Sequence, residues 1–167
     1  MRIAIGSDRQ GFTCKEMLVE RIRELGYEPV DAGPPDGKLP VDYPIYGQKV
    51  GELVASGNCR FGVVICATGI GIMIAANKVR GVRCGMAYTD DVARLMREHN
   101  DANVVAFGAK QMDWEGISRR LGIFLEADYL GGYHASRVSQ LGDIEEDRPL
   151  SQTPFENPEY AGKEVTE

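Results

Sequence analysis

The sequence predicts an α/β protein, a three-layer αβα sandwich in which helices cover both faces of an open, five-stranded parallel sheet. Three observations carry that reading. Short apolar runs alternate with stretches of helical periodicity along a chain of 167 residues, a length that fits one ordinary domain. The strongest run, Phe61–Cys66, is apolar on both faces, as a central parallel strand covered by helices is. The 20 glycines are about 12% of the chain, against a usual ~7%, and favour a turn-rich, close-backbone architecture.

The elements follow in order. Residues 2–6 form a first short strand, ended by Gly6-Ser7-Asp8. A helix follows over 12–25, where Phe12, Met17, Leu18, Ile22 and Leu25 are spaced for one buried face, and Gly26 stops it. Residues 28–31 read as a second strand and 33–37 as loop. Pro44 suits the first turn of a helix that runs to about Ser56. After the third strand, Phe61–Cys66, come a glycine loop and a helix to Lys78. Residues 82–87 give a fourth strand, 89–99 a helix begun by Asp90 and Asp91, 103–107 a fifth strand, and 114–127 a helix. A last helical segment runs from Gly131-Gly132 to about Leu141, where it caps the sheet or reaches a neighbouring subunit. The domain therefore spans 1–141, and 142–167 is an acidic, proline-containing tail, read as an extended arm or as disorder.

Charge excludes several functions. The net charge of −6 lies in the tail, where eight acids face Arg148 and Lys163. Residues 1–141 are left neutral, with no overall field to attract nucleic acid or an acidic membrane. No run approaches the ~18 apolar residues of a membrane span, and the start has no secretory signal pattern; the chain reads as cytoplasmic. Cys14, Cys59, Cys66 and Cys84 form no C-x-x-C pair, and His99 and His134 are the two histidines. A metal site is not expected, and free thiols are the default.

Ligands of open α/β sheets bind beyond the carboxyl ends of the strands. The polar connections Ser7-Asp8-Arg9, Cys66-Ala67-Thr68-Gly69-Ile70-Gly71, His99-Asn100-Asp101 and Gly108-Ala109-Lys110 are grouped there on this reading. The second is the most informative: its glycines and threonine, between a buried strand and a helix, expose backbone N–H groups suited to an anion. A dinucleotide site is disfavoured, because Asp8 stands where a pyrophosphate would approach. At the head of the loop, Cys66 precedes a helix N-terminus, a position that can favour a thiolate. It could attack a carbonyl, or take a proton from the neighbouring carbon while N–H groups hold the oxyanion; a core cysteine at a strand end is the alternative. His99, at a helix end, and His134 with Arg137, one turn apart, read equally as solvated surface.

Together, Gly6-Ser7-Asp8, Asp42-Tyr43-Pro44, Cys66-Ala67-Thr68-Gly69-Ile70-Gly71, Ala75-Ala76-Asn77-Lys78, His99-Asn100-Asp101-Ala102-Asn103 and Gly131-Gly132 resemble the type B ribose-5-phosphate isomerases and the related galactose-6-phosphate isomerase subunits, collinearly over about residues 1–141. The resemblance implies a Rossmann-like sheet and a cofactor-free aldose–ketose isomerase that works on a sugar phosphate through an enediolate. Ribose 5-phosphate is the first expectation for the substrate. Galactose 6-phosphate, allose 6-phosphate, a tetrose phosphate, or a catalytically silent binding role are the alternatives. The family's base is a cysteine at the position of Cys66 or a glutamate at that of Ile72, so the resemblance assigns the proton shuttle to Cys66. It gives the oxyanion to the amides of Ala67, Thr68, Gly69, Ile70 and Gly71, ring opening to His99 with Asp8 and Thr68, and hydroxyl orientation to Tyr43 and Asn100. It further implies a homodimer or tetramer with active sites at the subunit interface, the last helix exchanged so that Arg137 and His134 meet the partner's substrate. Arg9, Tyr133 and Lys110 depart from the family's usual His, Arg and Arg. The cationic count near the phosphate stays similar while its position moves, and Lys110 gives up bidentate geometry.

Overall fold

The computed structural model describes residues 1–38 and 40–152. Eleven elements alternate along the chain: β1 Arg2–Ser7, α1 Phe12–Glu24, β2 Glu28–Gly33, α2 Tyr43–Ala55, β3 Phe61–Cys66, α3 Ile70–Ala76, β4 Cys84–Met86, α4 Asp90–Glu98, β5 Val104–Gly108, α5 Trp114–Glu126 and α6 Tyr133–Glu145. The five strands form one all-parallel sheet in the order β2-β1-β3-β5-β4. Strand order reverses between β1 and β3, the point at which such sheets leave a crevice at their carboxyl ends.

Alternation along the strands divides the core in two. Ile3, Ile5, Val63, Ile65, Val105 and Phe107 face α1, α4 and α5 through Leu18, Ile22, Met96, Leu121 and Phe124. Ala4, Val64, Cys66, Val104 and Ala106 face α2 and α3 through Tyr46, Val50, Ile72 and Ala76. Each fully buried aliphatic or aromatic side chain contributes about 1.5–3 kcal/mol, so both layers hold the sheet. No helix among the described residues is long and apolar enough to cross a membrane.

Local chemistry sets the helix starts. Thr89 accepts the Val92 N–H at 3.2 Å ahead of α4, and Asp113 accepts the Gly116 N–H at 2.7 Å ahead of α5. Several expectations need correction. Met17 is 41% exposed, and Lys15 is buried in its place on α1. The Lys15 ammonium bonds to Asp31 at 2.6 Å and to the Pro34 carbonyl at 2.9 Å, which compensates its burial. α3 ends at Ala76, and β4 is three residues long rather than six. Both differences have one cause: Asn77 turns its side chain to the edge strand, accepting from Cys84 N at 2.7 Å and donating to Cys84 O at 2.8 Å. Asn103 likewise accepts from Arg83 N at 2.8 Å, so side-chain amides replace the first rung of the ladder.

α6 continues through Glu145, four residues into the segment assigned to the tail. It lies on its own chain at both ends, through His134 over His99 and through Glu145, which accepts the Gly81 N–H at 2.8 Å. Residues 153–167, with most of the expected tail, lie outside the described residues.

Candidate active site

Cys66 is the last residue of β3, and its thiol faces the α2–α3 layer at 5% exposure. The chain then turns through Ala67, Thr68 and Gly69 into α3. Gly69 takes φ +80°, and a β-carbon there would lie 2.9 Å from the Phe107 carbonyl carbon, so glycine is required both by conformation and by space. The turn aims the Gly69 N–H at the Cys66 sulfur, 3.1 Å away. That contact places a donor where negative charge on sulfur would sit. The Ile70 N–H reaches the Thr68 hydroxyl at 3.3 Å.

These two bonds narrow the expected anion cradle. Two of the five amides between 67 and 71 already have partners within the loop. The first helical bond of α3 is Met73 N–H to the Gly69 carbonyl at 3.2 Å. The Gly71 amide therefore belongs to the open first turn, where donors look for an acceptor outside the helix. Tyr43, at the start of α2, stands over Gly71 so closely that a β-carbon there would lie 2.9 Å from its ring. Asp8, at the mouth of β1, accepts the Gly11 N–H at 2.9 Å, and its own N–H donates to the Ile65 carbonyl at 3.1 Å. Arg9 beside it is exposed. The Lys110 N–H donates to the Ala67 carbonyl at 3.0 Å, so its exposed side chain starts from the edge of the same loop. Asp8, Tyr43, Cys66, residues 67–71 and Lys110 thus share the carboxyl end of the sheet.

His99 and Asn100 do not join them. Every strand is parallel, so the connection from α4 to β5 lies at the amino end of the sheet, and their grouping with the carboxyl-end loops is corrected. About 17 Å separates the two ends of a six-residue strand such as β3. His134 and Arg137 belong with His99: the imidazoles of His99 and His134 stack with centroids 4.1 Å apart. Tyr133 covers the same imidazole, its ring centroid 4.0 Å away. Arg137 is exposed on α6 and donates to the Tyr133 carbonyl. Burial, followed by the neighbouring His99 and Arg137, holds the His134 imidazolium below the usual histidine range. One chain therefore carries two separate polar clusters: a thiol with amides at one end of the sheet, and imidazoles with a guanidinium at the other.

Sequence reasoning missed two features. Ser7, fully buried at the end of β1, has a hydroxyl with no partner among the described residues. The His99–His134 stack joins residues 35 positions apart in the sequence, and no local periodicity signals it. Burial pushes Cys14 up to about 11 and raises Cys84 further, and it raises Cys59 as well.

Comparison with known proteins places these features in a family context. The ribose/galactose isomerase family matches residues 3–141. Ribose-5-phosphate isomerase B of Escherichia coli (strain K12) is 40% identical over 147 residues, which is 88% of this chain and 98% of that one. Galactose-6-phosphate isomerase subunit LacB of Clostridium acetobutylicum is 36% identical over 129 residues, 77% of this chain and 74% of that one. In three dimensions, ribose-5-phosphate isomerase B of Clostridium thermocellum matches with a TM-score of 0.86 at 43% identity, covering 88% of this chain and 99% of that one.

Proposed function

The chain belongs to the ribose/galactose isomerase family, and on that premise we propose that it interconverts an aldose phosphate and its ketose, ribose 5-phosphate and ribulose 5-phosphate first, with Cys66 as the base. The observation that carries the reading is the Cys66 sulfur facing the Gly69 amide at 3.1 Å, at the carboxyl end of a central strand.

The chemistry follows from that pair. The thiolate removes the C2 proton of the open-chain aldose, and the electrons move onto O1 to give an enediolate. The developing charge on O1 meets the open amides of the loop, Gly71 among them; donors of this kind are worth about 2.7–4 kcal/mol each. A proton passes from O2 to O1, and the thiol returns its own proton to C1, leaving the C2 carbonyl of the ketose. The low exposure of Cys66 limits access of bulk water to the enediolate. Tyr43, over Gly71, orients a sugar hydroxyl, and Asp8 and Thr68 assist ring opening.

Ring opening also needs an acid, and the remaining candidate, His99, stands at the far end of its own sheet. We therefore assign His99, Asn100, His134 and Arg137 to the Cys66 site of a second copy of the chain, in a homodimer or a tetramer. In that arrangement α6 carries Arg137 to the phosphate of the neighbouring substrate. Leu141 and Ile144, exposed on the same helix, supply apolar surface for such an assembly.

A panel of phosphorylated aldoses and ketoses of four to six carbons, assayed without added cofactor, tests the reading. Conversion of ribose 5-phosphate at the highest kcat/KM supports it as stated. Preference for a hexose or tetrose phosphate keeps the chemistry and replaces the substrate. Thermal stabilisation by several of them with conversion of none makes the chain a binding protein and overturns the reading.

A further inference from the structure

We propose that the amino-terminal end of the sheet, a strand's length from Cys66, holds a second site, one that takes a phosphoryl dianion. A cavity of about 370 Å³ opens there, and its walls carry four arginines, Arg2, Arg60, Arg83 and Arg97, against a single carboxylate, Asp101. Asp101 is shared: Arg83 bonds to it at 2.6 Å and Arg97 at 2.8 Å. It is held at φ 47°, a conformation uncommon for a residue with a side chain. Arg2 has one ion pair among the described residues, an exposed contact with Glu28 at 3.4 Å of the kind that contributes little, and it donates to the Asn58 carbonyl at 3.3 Å. Counting both carboxylates, the four guanidinium groups leave an excess of two positive charges.

Two further observations point to a ligand. The Arg97 side chain is only 2% exposed, and its Nε–H finds no acceptor among the described residues. A buried donor without an acceptor is rare in folded proteins. Arg2 and Arg60 also stand side by side: the Arg60 N–H donates to the Arg2 carbonyl at 3.0 Å, one step before the Ile3–Phe61 register pair. Like charges opposite each other on paired strands repel, and Arg60 has no carboxylate within ion-pair distance among the described residues, only the face of Phe61 at 5.1 Å. A dianion between the two would turn that repulsion into paired, charge-assisted hydrogen bonds, the geometry at which guanidinium groups excel. The cavity admits either free phosphate or a small phosphate ester.

The test is a ¹⁵N-NMR titration of the whole chain with inorganic phosphate, ionic strength being held constant with sodium chloride. We expect saturable shifts at the amides of Gly57, Asn58, Phe61 and Asn103, with a midpoint distinct from that of any shifts at residues 66–71 or at His99, His134 and Arg137. Arg60→Gln should weaken them about tenfold with isomerase turnover unchanged, and Arg2→Gln should act in the same direction. A parallel titration with glycerol 1-phosphate assigns the ligand: matching shifts mean the site accepts esters, and their absence beside a phosphate response confines it to the free ion. Equal phosphate affinity in Arg60→Gln and the parent chain, or the same shifts with chloride alone, overturns the proposal.

Discussion

The imidazole of His134 lies flat against that of His99, with ring centroids 4.1 Å apart and planes within 14°. The stack ties the start of α6 to the end of α4. It also buries an imidazole beside a second imidazole and the Arg137 guanidinium, which together disfavour its protonation, burial most of all.

Acid should loosen this contact. His134 takes up a proton more readily when α6 is undocked than when it is docked, so undocking gains a proton. The stability of the docked helix is therefore full above the ordinary histidine value of 6.5 and falls as the pH drops below it. We expect amide hydrogen-exchange protection across α6 to decline from pH 7.5 to pH 5.5, relative to that of α5. His134→Phe, which keeps a ring and removes the titration, should flatten the profile.

Gly69→Ala should cost stability and activity together. An alanine at φ +80° costs about 1–2 kcal/mol from conformation alone, and its β-carbon would press on the Phe107 backbone. The displaced amide would leave the Cys66 sulfur, and we expect kcat to fall by about 10²-fold or more. Gly26→Ala is the control: it has φ +82° with open space around it, far from the loop. It should show the unfolding penalty in a denaturant titration and normal turnover.

Two inactive variants should restore each other. If His99 serves the Cys66 site of a second chain, mixing Cys66→Ala with His99→Ala assembles one intact site in each hybrid dimer. After unfolding and co-refolding at equal amounts, activity should return to about a quarter of the parent value. Mixtures as inactive as their components would place both residues in one chain's site, against the assignment of His99 to a second copy.

The fold was legible where hydrophobic period and turn chemistry agree. Phe61–Cys66, the helix start at Asp90 and Asp91, and the strand–loop–helix order around Gly69 all follow from residue type and spacing. Legibility failed where a distant side chain overrides local pattern. Met17 fits the apolar period of α1 better than Lys15, yet Asp31 and the Pro34 carbonyl draw the lysine inward. β4 looks longer than it is because Asn77 and Asn103 take over its first hydrogen bonds. The grouping of Asp8, Tyr43, Cys66 and the glycine loop at the carboxyl end was legible, but the place of His99 and Asn100 at the opposite end of the sheet was not. Reading His99 as a neighbour of Cys66 ignored that a helix returning to a parallel strand ends at the amino edge.

The most direct measurement is exchange of the substrate's C2 hydrogen with deuterated solvent, followed by NMR on ribose 5-phosphate with the parent chain and with Cys66→Ala. The thiol as carbon base requires isomerisation in the parent chain, with whatever exchange escapes the internal proton return, and loss of both in the variant, by about 10³-fold as for a missing general base, while the variant still binds the sugar phosphate. Undiminished exchange in Cys66→Ala would contradict the assignment and move the base elsewhere in the loop.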